Sequence, residues 1–311
     1  MTKITCVDPI ILFPEHINAL KKLGELIMYN AAPKSNDEIF NRIQDTDVVI
    51  DFWTALPKKV IEKLNQTKMI CSAAAGYDWI DVKTATAKGI TITHCPGHNA
   101  ESVAEHTVGL ILGAMRLSWK ASSEVRNGKF TPEEYKGKEL KGKTVGIIGY
   151  GSIGKRVAEI LEKGFGAKIT YTNSSSSKDE LEKLLEESDF ISVNAPLNDK
   201  TRNLISHKEF TLMKPGVLFV NTGRGAIVDE EALLENLKNG KVFAAGLDIL
   251  EKEPFETTNP LLSQPNVLVT PHIGWNTEET EYRLSAQVLE IVTAFIRDEP
   301  IYIIPEQRSI S

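Results

Sequence analysis

Cysteine is scarce in this chain: Cys6, Cys71 and Cys95 are an odd set without metal-ligand spacing. Neither a disulfide framework nor a thiolate metal site is expected. The three read as small buried hydrophobes in a reducing compartment, with a catalytic thiol as the lesser alternative. Excess positive charge is lacking too. With a net charge of −6 and a pI near 5.7, there is no basic field to hold nucleic acid or an anionic membrane. No apolar run is long enough to span a bilayer, and the opening residues Met1 to Val7 read as a strand, not a signal peptide. Repeats, heptads and low-complexity tracts are absent; Ser174 to Ser177 is a short polar loop. These absences leave a cytoplasmic globular protein without a metal, membrane or nucleic-acid partner. Its 311 residues, 41% of them hydrophobic, can bury a full core and divide into two domains.

What is present is organised around residues 143–161. A short apolar run ends at Gly149, Gly151 and Gly154, and helical spacing resumes through Leu161. That is strand, tight turn, helix. Gly149 takes the turn's dihedrals, Gly151 lets backbone approach a pyrophosphate, and Gly154 lets the helix pack on the strand. The N–H groups of the first helical turn, from Ser152 and Ile153 onward, then face the phosphates. An ordinary glycine turn is the other reading, and the flanking strand and helix favour the dinucleotide.

Residues 1 to about 95 alternate β-branched runs with helical patterns: strands at 4–7, 48–50, 68–71 and 91–94, helices from about Pro14 to Leu23 and Lys58 to Leu64. A long apolar helix is predicted from about Ala100 to Ala121. Its face of Val103, Val108, Ile111, Leu112 and Met115 is too wide for capping one sheet, and so could bridge domains or subunits. Further strands are predicted at 145–148, 168–172, 190–193, 217–220, 242–247 and 267–270, and a last helix from Glu278 to Ile296. The expectation is an α/β protein with two doubly wound parallel-sheet domains, a Rossmann cofactor domain inserted in a flavodoxin-like catalytic domain. The boundaries expected are residues 1–98 and 286–311 for the catalytic domain and 99–285 for the dinucleotide domain, with the ligand in a cleft between them.

Three side chains follow strand ends beyond the glycine loop: Arg224, Glu253 and His272. Arginine can hold a carboxylate through two parallel hydrogen bonds, and a histidine beside a carboxylate can move a proton. Singly, each has another reading: a surface ion pair, a solvated loop charge, a core histidine. Together beside a dinucleotide loop they suit hydride transfer coupled to proton transfer.

At these residues the chain resembles the D-isomer-specific 2-hydroxyacid dehydrogenases. The resemblance runs in the family's order through Ser102–Glu105, the glycine loop, Ala195–Leu197 with Thr201, Asn221–Asp229, Gly246–Asp248, Glu253–Pro254 and Thr270–Gly274. It implies a homodimer through the 100–121 helix region and a catalytic set of Arg224, Glu253 and His272. It also implies a second carboxylate clamp from the backbone of Ala75 and Gly76, and Asp248 at the nicotinamide carboxamide. Cofactor contacts are expected at Gly149, Gly151, Ser152, Ile153, Gly154, Asn173, Ser174, Pro196, Thr201, Thr222 and Asp248.

Two departures bear on specificity. Asn173 stands where an acid would meet the adenosine ribose, and Ser174, Ser175, Ser176 and Lys178 could contact a 2′-phosphate, so both NAD and NADP remain open. The loop Asp51 to Thr54 brings Trp53 and an acid where a phosphate pocket would want cations. That loop, and the lack of an appended regulatory domain, weigh against 3-phosphoglycerate. Trp275, directly after the histidine loop, resembles glycerate dehydrogenases and hydroxypyruvate reductases, or is core packing. The expected activity is NAD(P)H-dependent reduction of a small 2-oxo acid such as hydroxypyruvate or glyoxylate. D-3-phosphoglycerate dehydrogenase, and an NAD(H)-sensing interaction protein on the same fold, are the alternatives.

Overall fold

The β-branched runs form strands, and left-handed glycines at 89, 142, 166, 216 and 240 turn the chain just before five of them. The computed structural model describes residues 1–308; the expected assignment of 309–311 to the catalytic domain lies outside the described residues. Among the described residues the chain divides into two compact units, 1–99 with 276–308, and Ala100–Trp275.

In the first unit the strands are β1 (Thr2–Cys6), β2 (Gly24–Met28), β3 (Val48–Asp51), β4 (Met69–Ser72) and β5 (Thr91–His94), all parallel in the order β2-β1-β3-β4-β5. This is the flavodoxin-like order. β2 escapes the sequence reading because helix Pro14–Leu23 passes into it without a turn. Gly24 makes that passage: a Cβ there would stand 2.1 Å from the Thr2 carbonyl oxygen on β1. Helix Glu278–Ile296 has the predicted bounds, and its Leu284, Val288, Ile291 and Val292 pack with Ile4, Val48, Ile50 and Met69.

In the second unit the strands are β6 (Thr144–Ile148), β7 (Lys168–Thr172), β8 (Phe190–Val193), β9 (Val217–Asn221), β10 (Val242–Leu247) and β11 (Val267–Val269). They too are parallel, in the order β11-β10-β9-β8-β6-β7. From β6 the chain goes to β7 on one side and then returns to β8 on the other, so β6 and β8 flank the switch point where ligands bind in such sheets.

The helix predicted over 100–121 is broken into Ala100–Met115 and Ser118–Arg126. Leu117 lies between them with φ 52°, its side chain drawn into the core with Met115 and Leu140. Most of that apolar face is accounted for inside the unit, where Val108, Ile111 and Met115, with Leu112 packed against them, join one core cluster with Val145, Val157 and Val220.

Candidate active site

The carboxyl ends of parallel strands share one edge, and the second unit carries its functional loops there. In sheet order they are His272 beyond β11, Asp248 beyond β10, Arg224 beyond β9, Pro196 beyond β8, Gly149 beyond β6 and Asn173 beyond β7. The glycine loop fits a dinucleotide. Gly149 has φ +96°, and a Cβ on it would lie 2.5 Å from Ala195 N; one on Gly154 would lie 2.2 Å from Gly149 O. Over Gly151, by contrast, the space is open. Gly151 is the N-cap of helix Ser152–Phe165, and no side-chain hydrogen bond caps this N-terminus. The N–H groups of Ser152 and Ile153 therefore start a helix suited to an anion. Gly223, which the sequence did not single out, repeats the close approach: its Cβ would stand 2.7 Å from Ala195 O. The Ala195 backbone thus runs between two glycines.

The structure brings Glu253 and His272 together, with Glu253 Oε2 2.9 Å from His272 Nδ1. Since a carboxylate accepts, Nδ1 carries the hydrogen. His272 has φ 54°, a conformation costing a non-glycine residue roughly 1–2 kcal/mol, and its N–H donates to the Asp248 carbonyl at 2.7 Å. The Asp248 side chain, 3% exposed, takes four protein donors. Oδ1 accepts from Thr270 Oγ1 at 2.6 Å, Ile273 N at 3.0 Å and His106 Nε2 at 3.1 Å, and Oδ2 accepts from Gly274 N at 2.8 Å. Burial acts to raise this carboxyl's pKa, but the hydrogen bonds from His106, Thr270, Ile273 and Gly274 outweigh it and hold the group below the usual range. His106 escapes sequence reading because its partner is 142 residues away.

Arg224 begins a turn tied by Asn221, whose Nδ2 donates to Arg224 O at 3.0 Å and whose Oδ1 accepts from Gly223 N at 3.0 Å. Its Nη1 donates to Gly223 O at 2.9 Å. Thr222 Oγ1 lies 2.8 Å from Thr107 Oγ1 and accepts from Asn194 Nδ2 at 3.0 Å. Thr201 Oγ1 donates to Pro196 O at 2.7 Å, closing the loop after β8. Beyond β7, Asn173 Oδ1 accepts from Ser175 N at 2.8 Å and Ser175 Oγ at 2.7 Å, while Ser174 is exposed. Trp275 is half-buried.

In the first unit the loops after β3 and β4 share the carboxyl edge of the other sheet. Ser72 Oγ donates to Gly76 O at 2.7 Å and His94 Nδ1 to Ala75 O at 2.9 Å. Peptide planarity then points the Gly76 N–H away from His94. Trp53, 47% exposed, stacks on Trp79 at 6.3 Å between ring centroids. The acid expected beside it is turned inward: Asp51 is fully buried, accepting from Trp79 Nε1 at 2.6 Å and Thr54 N at 2.9 Å. Burial first, and then the neighbouring Asp8 carboxylate, push its pKa well up. Asp8, missed in the sequence, accepts from Phe52, Trp53 and Thr54 N–H groups and so shapes the loop that presents Trp53.

The three cysteines are free and buried. Among the described residues no group of three or more His, Cys, Asp or Glu could hold a metal, and no helix is long and apolar enough to cross a membrane.

The fold and the glycine loop define a dinucleotide-binding α/β protein. The family model described as D-isomer specific 2-hydroxyacid dehydrogenase, NAD binding domain, matches residues 108–274. Hydroxypyruvate reductase of Thermotoga maritima is 42% identical, over 82% of this chain and 86% of that one. D-3-phosphoglycerate dehydrogenase of Methanocaldococcus jannaschii is 38% identical over 96% of this chain, which spans 58% of that relative's length. Among solved structures, a glyoxylate reductase from Paecilomyes thermophila has a TM-score of 0.90 at 31% identity, covering 99% of both chains. An acyclic imino acid reductase in complex with NADPH and D-Arg has a TM-score of 0.91 at 30% identity, covering 97% of this chain and 100% of that one. The chain belongs to the D-isomer-specific 2-hydroxyacid dehydrogenase family, oxidoreductases of the CH–OH group that use NAD or NADP.

Proposed function

We propose that this chain reduces a small unphosphorylated 2-oxo acid, of the hydroxypyruvate or glyoxylate kind, to the D-2-hydroxy acid. The observation that carries the reading is the 2.9 Å pair of Glu253 Oε2 and His272 Nδ1 on the sheet edge that also bears Arg224 and the glycine loop. The glycine loop with Ser152 and Ile153, the loops of Asn173, Ser174, Pro196, Thr201 and Thr222, and Asp248 hold the coenzyme. When bound, the reduced nicotinamide supplies the hydride that reaches C2. Arg224 takes the substrate carboxylate in a planar two-bond clamp, with the Ala75 and Gly76 backbone as a second one. As charge builds on the carbonyl oxygen, protonated His272 gives it the proton from Nε2, leaving a neutral ring that Glu253 keeps in orientation. The ring is then reprotonated from solvent.

Trp53 and Trp275 bound the substrate's substituent. The aromatic loop around Trp53 offers no cation to a phosphate, which disfavours 3-phosphoglycerate, although the identity to a phosphoglycerate dehydrogenase keeps that arm in the test. The protein is a cytoplasmic homodimer through the 100–121 helix region. Helix Ser118–Arg126 buries none of its own residues, and Val125 on it and Phe130 beyond it are 57% and 86% exposed, which supports a subunit contact there. Three reduced cysteines support the location.

Turnover is measured with hydroxypyruvate, glyoxylate, pyruvate and 3-phosphohydroxypyruvate, each with NADH and with NADPH. Higher kcat/KM for an unphosphorylated acid supports the reading. Preference for the phosphorylated one would replace it, and no coenzyme oxidation with any acid would end it. Sedimentation of the wild type and of Phe130→Lys tests the dimer.

A further inference from the structure

Glu253 is carried on an exposed loop: every residue from Glu251 to Thr258 faces solvent. Such a loop has little apolar packing to hold it, so its order must come from hydrogen bonds at its base. Both ends meet a single carboxylate. Glu230, on the first turn of helix Glu230–Lys238, accepts from Glu251 N through Oε1 at 2.6 Å and from Asn259 Nδ2 through Oε2 at 2.8 Å. Asn259 in turn accepts from Leu261 N at 2.9 Å, which anchors the far end to the adjoining 3₁₀ turn. Glu253 lies two residues beyond the first anchored N–H.

Backbone contact adds a second constraint at the same place. A Cβ on Gly225 would stand 2.1 Å from both the carbonyl carbon and the oxygen of Leu250, and 2.3 Å from Glu251 N. Only glycine lets the turn after Arg224 lie against the start of this loop. One short segment, 224–230, therefore presents Arg224, receives the loop against Gly225, and staples it through Glu230.

We infer that Glu230 is a positioning residue for proton transfer, closing the base of the 251–259 loop so that Glu253 meets His272. The inference rests on the reading of His272 and Glu253 as the acid and its partner. Glu230 touches neither substrate nor coenzyme in this role; it acts through Glu253 alone. Its removal should therefore cost rate only while Glu253 can still hold the ring.

The test is a double-mutant cycle of wild type, Glu230→Ala, Glu253→Gln and the double variant. It reads kcat for hydroxypyruvate reduction, the rate against pH, Kd for NADH or NADPH by fluorescence, and Tm. Expected is a loss of about 10- to 100-fold in kcat for Glu230→Ala, the scale of a misplaced group, with coenzyme Kd unchanged. In the Glu253→Gln background the same change should cost less than about twofold, since interacting residues are not additive. Glu230→Gln, which keeps an acceptor for Glu251 N, should recover most of the rate, and Glu230→Ala should move the alkaline limb of the rate in the same direction as Glu253→Gln.

An equal loss in both backgrounds overturns the role of Glu230 while leaving the acid pair intact. Wild-type kcat in Glu253→Gln alone overturns the acid pair, and this inference with it. Should Glu230→Ala not fold, Asn259→Ala carries the same cycle with the same outcomes.

Discussion

Gly274 donates its backbone N–H to Asp248 Oδ2 at 2.8 Å, and a Cβ on Gly274 would lie 3.0 Å from that same oxygen. The loop bearing His272 is folded around a buried carboxylate. Asp248→Asn would turn an amide NH₂ toward donors that have lost their acceptor, at about 1–3 kcal/mol for each group left unsatisfied. Loss of both kcat and urea midpoint is expected. The folded-state pKa is depressed, so the charge contributes stability in full above the unfolded value of about 3.9 and loses it as pH falls through the folded value. Unfolding midpoints of the wild type should drop in that acid window more than those of the variant; parallel curves would place the acid sensitivity elsewhere.

His272→Gln should bind coenzyme nearly as well as wild type and lose about 10²- to 10⁴-fold in kcat, the span of general acid catalysis. Steady-state rates and fluorescence titration measure the two. A loss under threefold would remove His272 from the chemistry.

Arg224→Lys replaces a planar fork with a point charge. The drop should fall on kcat/KM for the oxo acid and spare coenzyme affinity. Equal loss in both would make Arg224 a support of its turn, where Asn221 already holds the backbone.

Asn173→Asp keeps an oxygen for Ser175 N and Ser175 Oγ, so the loop beyond β7 should hold its shape and the change is one of charge. A carboxylate there repels a 2′-phosphate. The ratio of kcat/KM with NADH to that with NADPH should rise; an unchanged ratio would put the ribose at another residue.

His98 supplies a second pH dependence. Burial foremost, followed by Arg283 and His94 and despite the hydrogen bond to the Cys95 carbonyl, lowers its pKa to about 4. The neutral ring is the folded form, so stability is full above the unfolded value of about 6.5 and is lost as pH falls toward 4, by about 3 kcal/mol in all. His98→Asn should flatten that decline. A wild-type curve level between these pH values would contradict the buried neutral ring.

Much of this architecture is legible in the sequence because period and punctuation agree with tertiary structure. Left-handed glycines at 89, 142, 166, 216 and 240 mark the turns just before five strands, and parallel strands carry the loops beyond their carboxyl ends on a common edge, so the neighbourhood of Arg224, Asp248 and His272 can be read from the chain. β2 cannot, since it is an edge strand with partly exposed residues and no preceding turn. The break at Leu117 is equally silent, because it depends on a pocket built by residues far along the chain. Asp51 illustrates the limit most directly. Its type predicts an acid facing ligand, but Trp79 and Thr54 supply donors that let it be buried, and only folding brings the indole there.

The parallel pairing of β10 with β11 sets Leu247 level with Val269, and so sets how far His272 projects beyond Asp248. Because side chains alternate, a slip that preserves the buried face must be two residues, about 6.6 Å along the strand. That exceeds the reach of any hydrogen bond in the site. The sheet is therefore a ruler as well as a frame: a variant pairing β11 two residues out of step would retain its helices, strands and coenzyme loop and still carry His272 a full side-chain length from Glu253.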